Sequence, residues 1–325
     1  MKTSKCTVMV FTSMLVVSLG SIGGALAQSY PIKPVRVLVG FQAGGNFDIV
    51  ARLMGQWLSE QLQQPFIVDN RPGASSNLAT EAAVRASPDG YTLLLCGAVN
   101  AINATLYEKL SFNFIKDIAP VAGLVRFPNV MMVSPSFPAK TVPEFIVYVK
   151  ANPGKINQGS SGTGTTQHLA GELFKTMTGV NFLHVAYRGS PQAVTDLLSG
   201  QVQVAFEPLP PSIEFIKSGR LRALAVTTAT RSEALPNVPA GSEFVPGYEA
   251  SGWNGVCAPK NTRTEITEKL NKTINAGLAD PKLKARLAAL GAMPLATSSA
   301  EYGKLIAEET EKWGKVIRTA NIKLE

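Results

Sequence analysis

The chain has 325 residues, 45% of them hydrophobic and 17% charged, with a formal net charge of +8. That length can fill two lobes, each burying its own core. Lysine and arginine are scattered rather than blocked and aromatics are few, which excludes a nucleic-acid footprint and leaves a diffuse positive field suited to small anions or an acidic partner.

Residues 1–27 read as a targeting segment, not as fold. Lys2 and Lys5 open it, an apolar run covers 8–20, and Ala25-Leu26-Ala27 closes it as an A-x-A signal. Cleavage after Ala27 is expected, with a mature start at Gln28 and a periplasmic product. The alternative, an uncleaved N-terminal anchor, suits the short apolar run and the small-residue signal less well. Cys6 precedes the apolar run, so no lipid-anchoring cysteine follows it.

The rest alternates β-rich runs with helical periodicity, the pattern of an α/β protein with a mainly parallel sheet. Val35–Val39 is a buried strand. After Gly44-Gly45, residues Ile49, Val50, Leu53, Met54, Trp57 and Leu58 recur at helical spacing. Phe66-Ile67-Val68 and, after the Asp89-Gly90 turn, Tyr91-Thr92-Leu93-Leu94-Leu95 are two further strands. Thr141 and Glu144 box a helix carrying Phe145, Ile146 and Val149. Ser190 and Pro191 cap and start another, which Gly200 stops. Strands are expected at 202–206 and 221–228. Asp280-Pro281 begins a helix with Leu283, Leu287 and Leu290 inward, stopped by Gly291, and Ser298 with Glu301 boxes the last helix. Cys96 and Cys257 each lie in an apolar run and read as buried thiols, a disulfide being the alternative that export permits.

Function resides in the loops at strand ends. In Phe41-Gln42-Ala43-Gly44-Gly45-Asn46-Phe47-Asp48 the paired glycines allow close backbone approach, and the next helix aims its free N–H groups at the same place. Such a start favours an anion; a plain tight turn is the other reading. Gly159-Ser160-Ser161-Gly162-Thr163-Gly164-Thr165-Thr166-Gln167-His168 is a second cradle, hydroxyl-rich and without the lysine or spacing of a P-loop. Asn70-Arg71-Pro72-Gly73-Ala74-Ser75-Ser76-Asn77 and Tyr187-Arg188-Gly189-Ser190 are two more. Arg188 either adds charge to the site or lies exposed. Glu207 is either a site carboxylate or a solvated strand end.

Catalytic and metal chemistry is poorly supplied. Only His168 and His184 are present, no Cys/His/carboxylate grouping has metal spacing, and no G-x-S-x-G elbow occurs. His184 reads as a core residue. No cofactor, metal or catalytic residue is expected, and the chain is read as a non-enzyme.

In order along the chain, Tyr30-Pro31, Gly44-Gly45 with Asp48-Ile49-Val50-Ala51-Arg52, Asn70-Arg71-Pro72-Gly73-Ala74, Pro88-Asp89-Gly90-Tyr91-Thr92, the 160–169 loop, Tyr187-Arg188-Gly189, Asp196-Leu197-Leu198 with Gly200, and Gly252-Trp253 resemble the Bug-type solute receptors of tripartite tricarboxylate transporters. The resemblance implies an α/β type II periplasmic binding protein fold, two lobes joined by two hinge crossings: 28–128 plus 252–325, and 129–251. It implies hinge closure around a small mono- or dicarboxylate, held from the first lobe by backbone N–H groups and ordered water at Ala43, Gly45, Asn46 and Asp48, the last through its N–H because its carboxylate would repel the ligand. Ser161, Thr163, Thr165, Thr166 and His168 would face it from the other lobe. Phe41, Gly44, Asn100, Gly162, Tyr187, Arg188 and Glu207 complete the expected ligand-binding set. The chain departs from the family pattern at Asn46, at Ala74-Ser75-Ser76 and at Glu207, which occupies a position often held by an Asp that faces the ligand amine in amino-acid-binding members. A monomer serving membrane permease subunits is expected. A sensor subunit for a receptor kinase is the alternative, and a hydrolase or lyase a third.

Overall fold

The computed structural model describes residues 30–319 and 322–323; the targeting segment and its cleavage after Ala27 lie outside the described residues. The order is β1 (Val35–Val39), α1 (Asn46–Leu62), β2 (Phe66–Asn70), α2 (Asn77–Val84), β3 (Thr92–Gly97), α3 (Ala98–Leu106), α4 (Phe114–Asp117) and β4 (Ile118–Val133). Then come α5 (Val142–Ala151), β5 (Asn157–Ser160), α6 (Thr166–Thr178), β6 (Leu183–Ala186), α7 (Ser190–Ser199), β7 (Val204–Pro208), α8 (Leu209–Lys217) and β8 (Arg222–Val226). The chain returns through β9 (Ser251–Pro259), α9 (Thr264–Ala279), α10 (Pro281–Ala289), β10 (Met293–Pro294) and α11 (Ser299–Thr319).

The strand order is β2-β1-β3-β9-β4-β7-β5-β6, with β8 and β10 also on β4. The sheet is mixed. Parallel pairs fill its two wings, β1 with β2 and β3, and β5 with β6 and β7. Between the wings, β9 runs antiparallel to β3 and β4. The 16-residue β4 joins the two halves: up to Pro128 it pairs with β9, and from Asn129 it pairs with β7 and β8. The return crossing lies where Ala250, bonded to Thr227, leads into Ser251. Two chain crossings at one place make a hinge.

Each half is closed on both sheet faces. Val37, Val39, Leu93 and Val256 pack against α1 and α9 through Met54, Leu58, Leu270 and Ile274, while Leu38, Leu94 and Ala101 meet Tyr302 and Ile306 of α11 on the reverse. In the other half, Met131, Val204 and Phe206 pack with Phe145 and Phe174, and Val130, Met132 and Ala205 with Val194 and Ile213. One small cluster crosses between them: Leu169 of α6 sits among Ile102, Leu106, Trp313 and Ile317.

Helix ends follow the sequence in most places. Asp280 caps α10 by accepting from the Lys282 and Leu283 N–H groups, and Ser298 and Glu301 form a reciprocal box. Thr141 accepts from the Glu144 N–H, but Glu144 takes the Lys140 N–H instead of closing the box. Ser190 departs from expectation. The cap of α7 is Gly189, and Ser190 is the first helical residue with its hydroxyl on the Ser161 hydroxyl.

The reading of Cys96 and Cys257 as thiols is corrected. They form a disulfide with Cα atoms 5.9 Å apart and a sequence separation of 161. Antiparallel register sets Leu94 opposite Cys257 and Cys96 opposite Gly255, so the two cysteines are diagonal neighbours on one face of the sheet.

Candidate functional site

Between the halves lies a narrow cavity of about 20 Å³, lined by Phe41, Gly45, Asn46, Phe47, Ala98, Val99, Phe127, Ser161, Thr165, Thr166, Gln167, Ser190 and Trp253. Four helices begin at this lining. Gly45 is the N-cap of α1, Ala98 the first residue of α3, Thr165 the N-cap of α6, and Ser190 the first residue of α7. Their unsatisfied N–H groups and dipole ends point at one small space, and among the described residues no lysine or arginine lines it.

The Phe41–Asp48 loop is held from below. Asp48, 3% exposed, accepts from the Gly44 N–H at 2.9 Å and from Arg52 Nε at 2.9 Å. Burial alone would raise its carboxyl, but bonds from Arg52, Gly44 and Asn70 outweigh it and hold the group below the usual range. Asn70 also donates to the Phe41 carbonyl at 3.0 Å. The carboxylate is spent on the turn, so it does not oppose an anion beyond it. Asn46, 4% exposed and in the lining, presents a carboxamide with no protein partner at either end among the described residues.

The opposite wall is the 160–168 loop. Thr165 caps α6 through the His168 N–H and donates to the Gly162 carbonyl at 2.7 Å. Ser161 Oγ lies 2.9 Å from Ser190 Oγ and donates to Glu207 Oε2 at 3.0 Å. Glu207 is wholly buried, which overturns the solvated strand end; it stands behind these two serines rather than in the lining. Burial pushes its carboxyl up to about 7, against bonds from Ser190 and Ser161 that pull it down.

Several expected site residues have other employment. Asn100 accepts from the Gly97 N–H and donates to Thr80, both at 2.8 Å, bracing the start of α3. His168 Nδ1 accepts from the Gly164 N–H, and its ring stacks on His184 at 4.0 Å, behind the lining. Tyr187 donates to Asp196 at 2.6 Å on the outer side. Arg188 is exposed, as are Ala43 and Gly44. The Gly162 and Thr163 stretch faces the other half rather than the cavity: a Cβ on Gly162 would lie 2.9 Å from Ser75 Oγ, and Ser75 donates to the Thr163 carbonyl.

Sequence reasoning missed the apolar walls Phe47, Ala98, Val99 and Phe127, together with Gln167. Periodicity assigns such residues to core. A usable signal was Gly97, where any Cβ would lie 2.5 Å from the Trp253 carbonyl and 2.8 Å from Phe47. Trp253 is fixed by Glu309, whose Oε2 accepts from the indoles of Trp253 at 3.1 Å and Trp313 at 2.9 Å.

Two sheet-and-helix lobes, two hinge crossings and a cleft between helix starts define a type II periplasmic binding protein, a class that encloses a solute between its halves. The chain belongs to the tripartite tricarboxylate transporter family of receptors, whose sequence profile matches residues 50–322. It is 35% identical over 302 residues to Protein BugT of Bordetella pertussis, covering 92% of this chain and 93% of that one. Among solved structures it is similar to Rpa4515 with adipate from Rhodopseudomonas palustris (37% identity, TM-score 0.89, 90% of this chain and 99% of that one). It is also similar to MatC with bound malate from the same organism (28% identity, TM-score 0.84, 89% and 100%). Members of this family are solute-binding receptors, not enzymes, and so is this chain. No helix among the described residues is long and apolar enough to cross a membrane.

Proposed function

We propose that this receptor works in the periplasm, exported with cleavage after Ala27, and captures a small mono- or dicarboxylate for the permease subunits of a tripartite tricarboxylate-type transporter. The observation that carries the ligand class is the convergence of four helix starts on a cavity that no cationic side chain among the described residues lines. Backbone N–H groups suit carboxylate oxygens and need no lysine or arginine. One carboxylate would rest on the Gly45, Asn46 and Phe47 amides, with Ser161, Thr165 and Thr166 facing it. The relatives that carry adipate and malate support an organic acid of four to six carbons.

In this reading 28–128 plus 252–325 moves as one lobe and 129–251 as the other, in a monomer that closes on its ligand. A carboxylate panel in a thermal-unfolding assay tests it: a ligand at 100 times its dissociation constant adds about 2.7 kcal/mol. Adipate, malate or succinate should raise the midpoint. A melt that only a neutral sugar moves would sink the carboxylate assignment. Capture of a permease subunit, rather than a receptor kinase, by the ligand-bound protein tests the partner.

A further inference from the structure

We propose that Glu207 is a positioning residue that couples ligand capture to uptake of one proton, by deciding whether the cleft-lining hydroxyls of Ser161 and Ser190 face the ligand as acceptors or as donors. The inference rests on the carboxylate reading of the cavity.

The geometry is a short relay. Glu207 has no exposed surface, and its Oε2 accepts from Ser161, whose oxygen lies 2.9 Å from that of Ser190. Both serines line the cavity and Glu207 does not. An ionised carboxylate only accepts, so it draws both hydroxyl protons inward and leaves oxygen lone pairs facing the cleft. Lone pairs repel a carboxylate. A protonated Glu207 supplies its own donor and frees the serines to donate to the ligand.

Among the described residues no basic side chain pairs with Glu207. Residues 129–133 of β4 and all of β5 carry no titratable side chain. On α6, His168 is engaged by Gly164 and His184 and Lys175 pairs with Glu172; on α7 Asp196 accepts from Tyr187; on α8 Glu214 and Lys217 are exposed. Glu207 takes part in no ion pair among the described residues. An anion seated one serine away therefore acts on Glu207 as a like charge in a buried site and favours its neutral form. Burial already raises the group to about 7, so above that pH binding draws a proton from solvent.

The test is calorimetric titration of the mature protein with adipate, malate and succinate at pH 8 in two buffers of different ionisation enthalpy. The wild type should take up close to one proton per ligand, and its affinity should fall toward tenfold per pH unit between pH 7.5 and 9. Glu207→Gln should take up none and show a flat profile; the α-amino group is common to both proteins. Equal proton counts in the two, or a flat wild-type profile should the variant fail to fold, overturns the proposal and leaves the carboxylate receptor standing. No binding of any of the three acids at any pH would remove the carboxylate reading and this inference with it.

Discussion

Ser75 donates its hydroxyl proton to the carbonyl oxygen of Thr163, and this is the one side-chain hydrogen bond that joins the two halves across the cleft among the described residues. Neither group lines the cavity. The Ser75 carbonyl in turn accepts from Asn103 Nδ2 at 2.8 Å, tying the contact to α3. The bond exists only when the halves are together, so it weights the closed state without touching the ligand.

Ser75→Ala removes a neutral hydrogen bond worth about 1 kcal/mol. The expected result is affinity weaker by roughly fivefold, expressed as faster release, with the melting midpoint of the ligand-free protein nearly unchanged. Stopped-flow release monitored by Trp253 fluorescence checks it; an unaltered release rate would exclude the latch.

Ala74, Ser75 and Ser76 have φ values of 45°, 48° and 75°, three successive non-glycine residues in the left-handed region. Each costs roughly 1–2 kcal/mol in that conformation. Ala74→Gly should therefore stabilise the fold by about 1 kcal/mol, seen as a midpoint higher by about 2 °C. A lower midpoint would show that the added chain entropy of glycine dominates.

Gly45 sits at the start of α1 with ordinary φ, and a Cβ there would lie 3.3 Å from the Gln42 carbonyl and 4.0 Å from Pro191 Cδ of the other half. Gly45→Val adds branches beyond that point. It should leave the circular-dichroism spectrum intact while abolishing carboxylate binding, both by crowding the amides and by propping the cleft against Pro191. Retained affinity would remove this loop from the site.

The His168 and His184 rings stack at 4.0 Å, and both are held neutral. Burial lowers His168 to about 4, with Lys175 adding to it, and burial, His168 and Lys175 lower His184 to about 3. The unfolded chain binds these protons near pH 6.5, so their contribution is whole above that pH and is lost as the pH falls toward 4. For His168 the loss is roughly 3 kcal/mol, and His184 adds to it in the same sense. Glu207 acts in the opposite sense between about pH 4.5 and 7, since its folded form binds the proton first. Denaturant melts at pH 7, 5 and 4 should show a steeper loss in the wild type than in His168→Gln. Parallel curves would argue against the neutral stack.

The disulfide ties β3 to β9, two strands of one half that lie 161 residues apart in sequence. Replacing both cysteines by alanine should cost about 3 kcal/mol, within the usual range for a native bridge, and leave ligand binding at 25 °C in place. A midpoint within 1 °C of wild type, against the several degrees expected, would show that the pairing of β3 and β9 needs no covalent tie.

Period-two and period-3.6 patterns, turn glycines and caps determined most elements in advance, because these depend on contacts within a few residues: Val35–Val39, α1, α10 and the box at Ser298 and Glu301 follow from local chemistry. The two glycine-rich loops were legible as helix starts for the same reason. Tertiary structure alone decided which of those starts meet. It turned Ser190 from a cap into a cleft hydroxyl, placed Glu207 behind it, spent Asn100 and His168 on the scaffold, brought Phe127 and Trp253 into the wall, and set Cys96 beside Cys257. The Phe127 and Trp253 wall depends on the antiparallel register of β4 and β9, and the disulfide on that of β3 and β9; both join segments more than 120 residues apart and leave no trace in the local sequence of either.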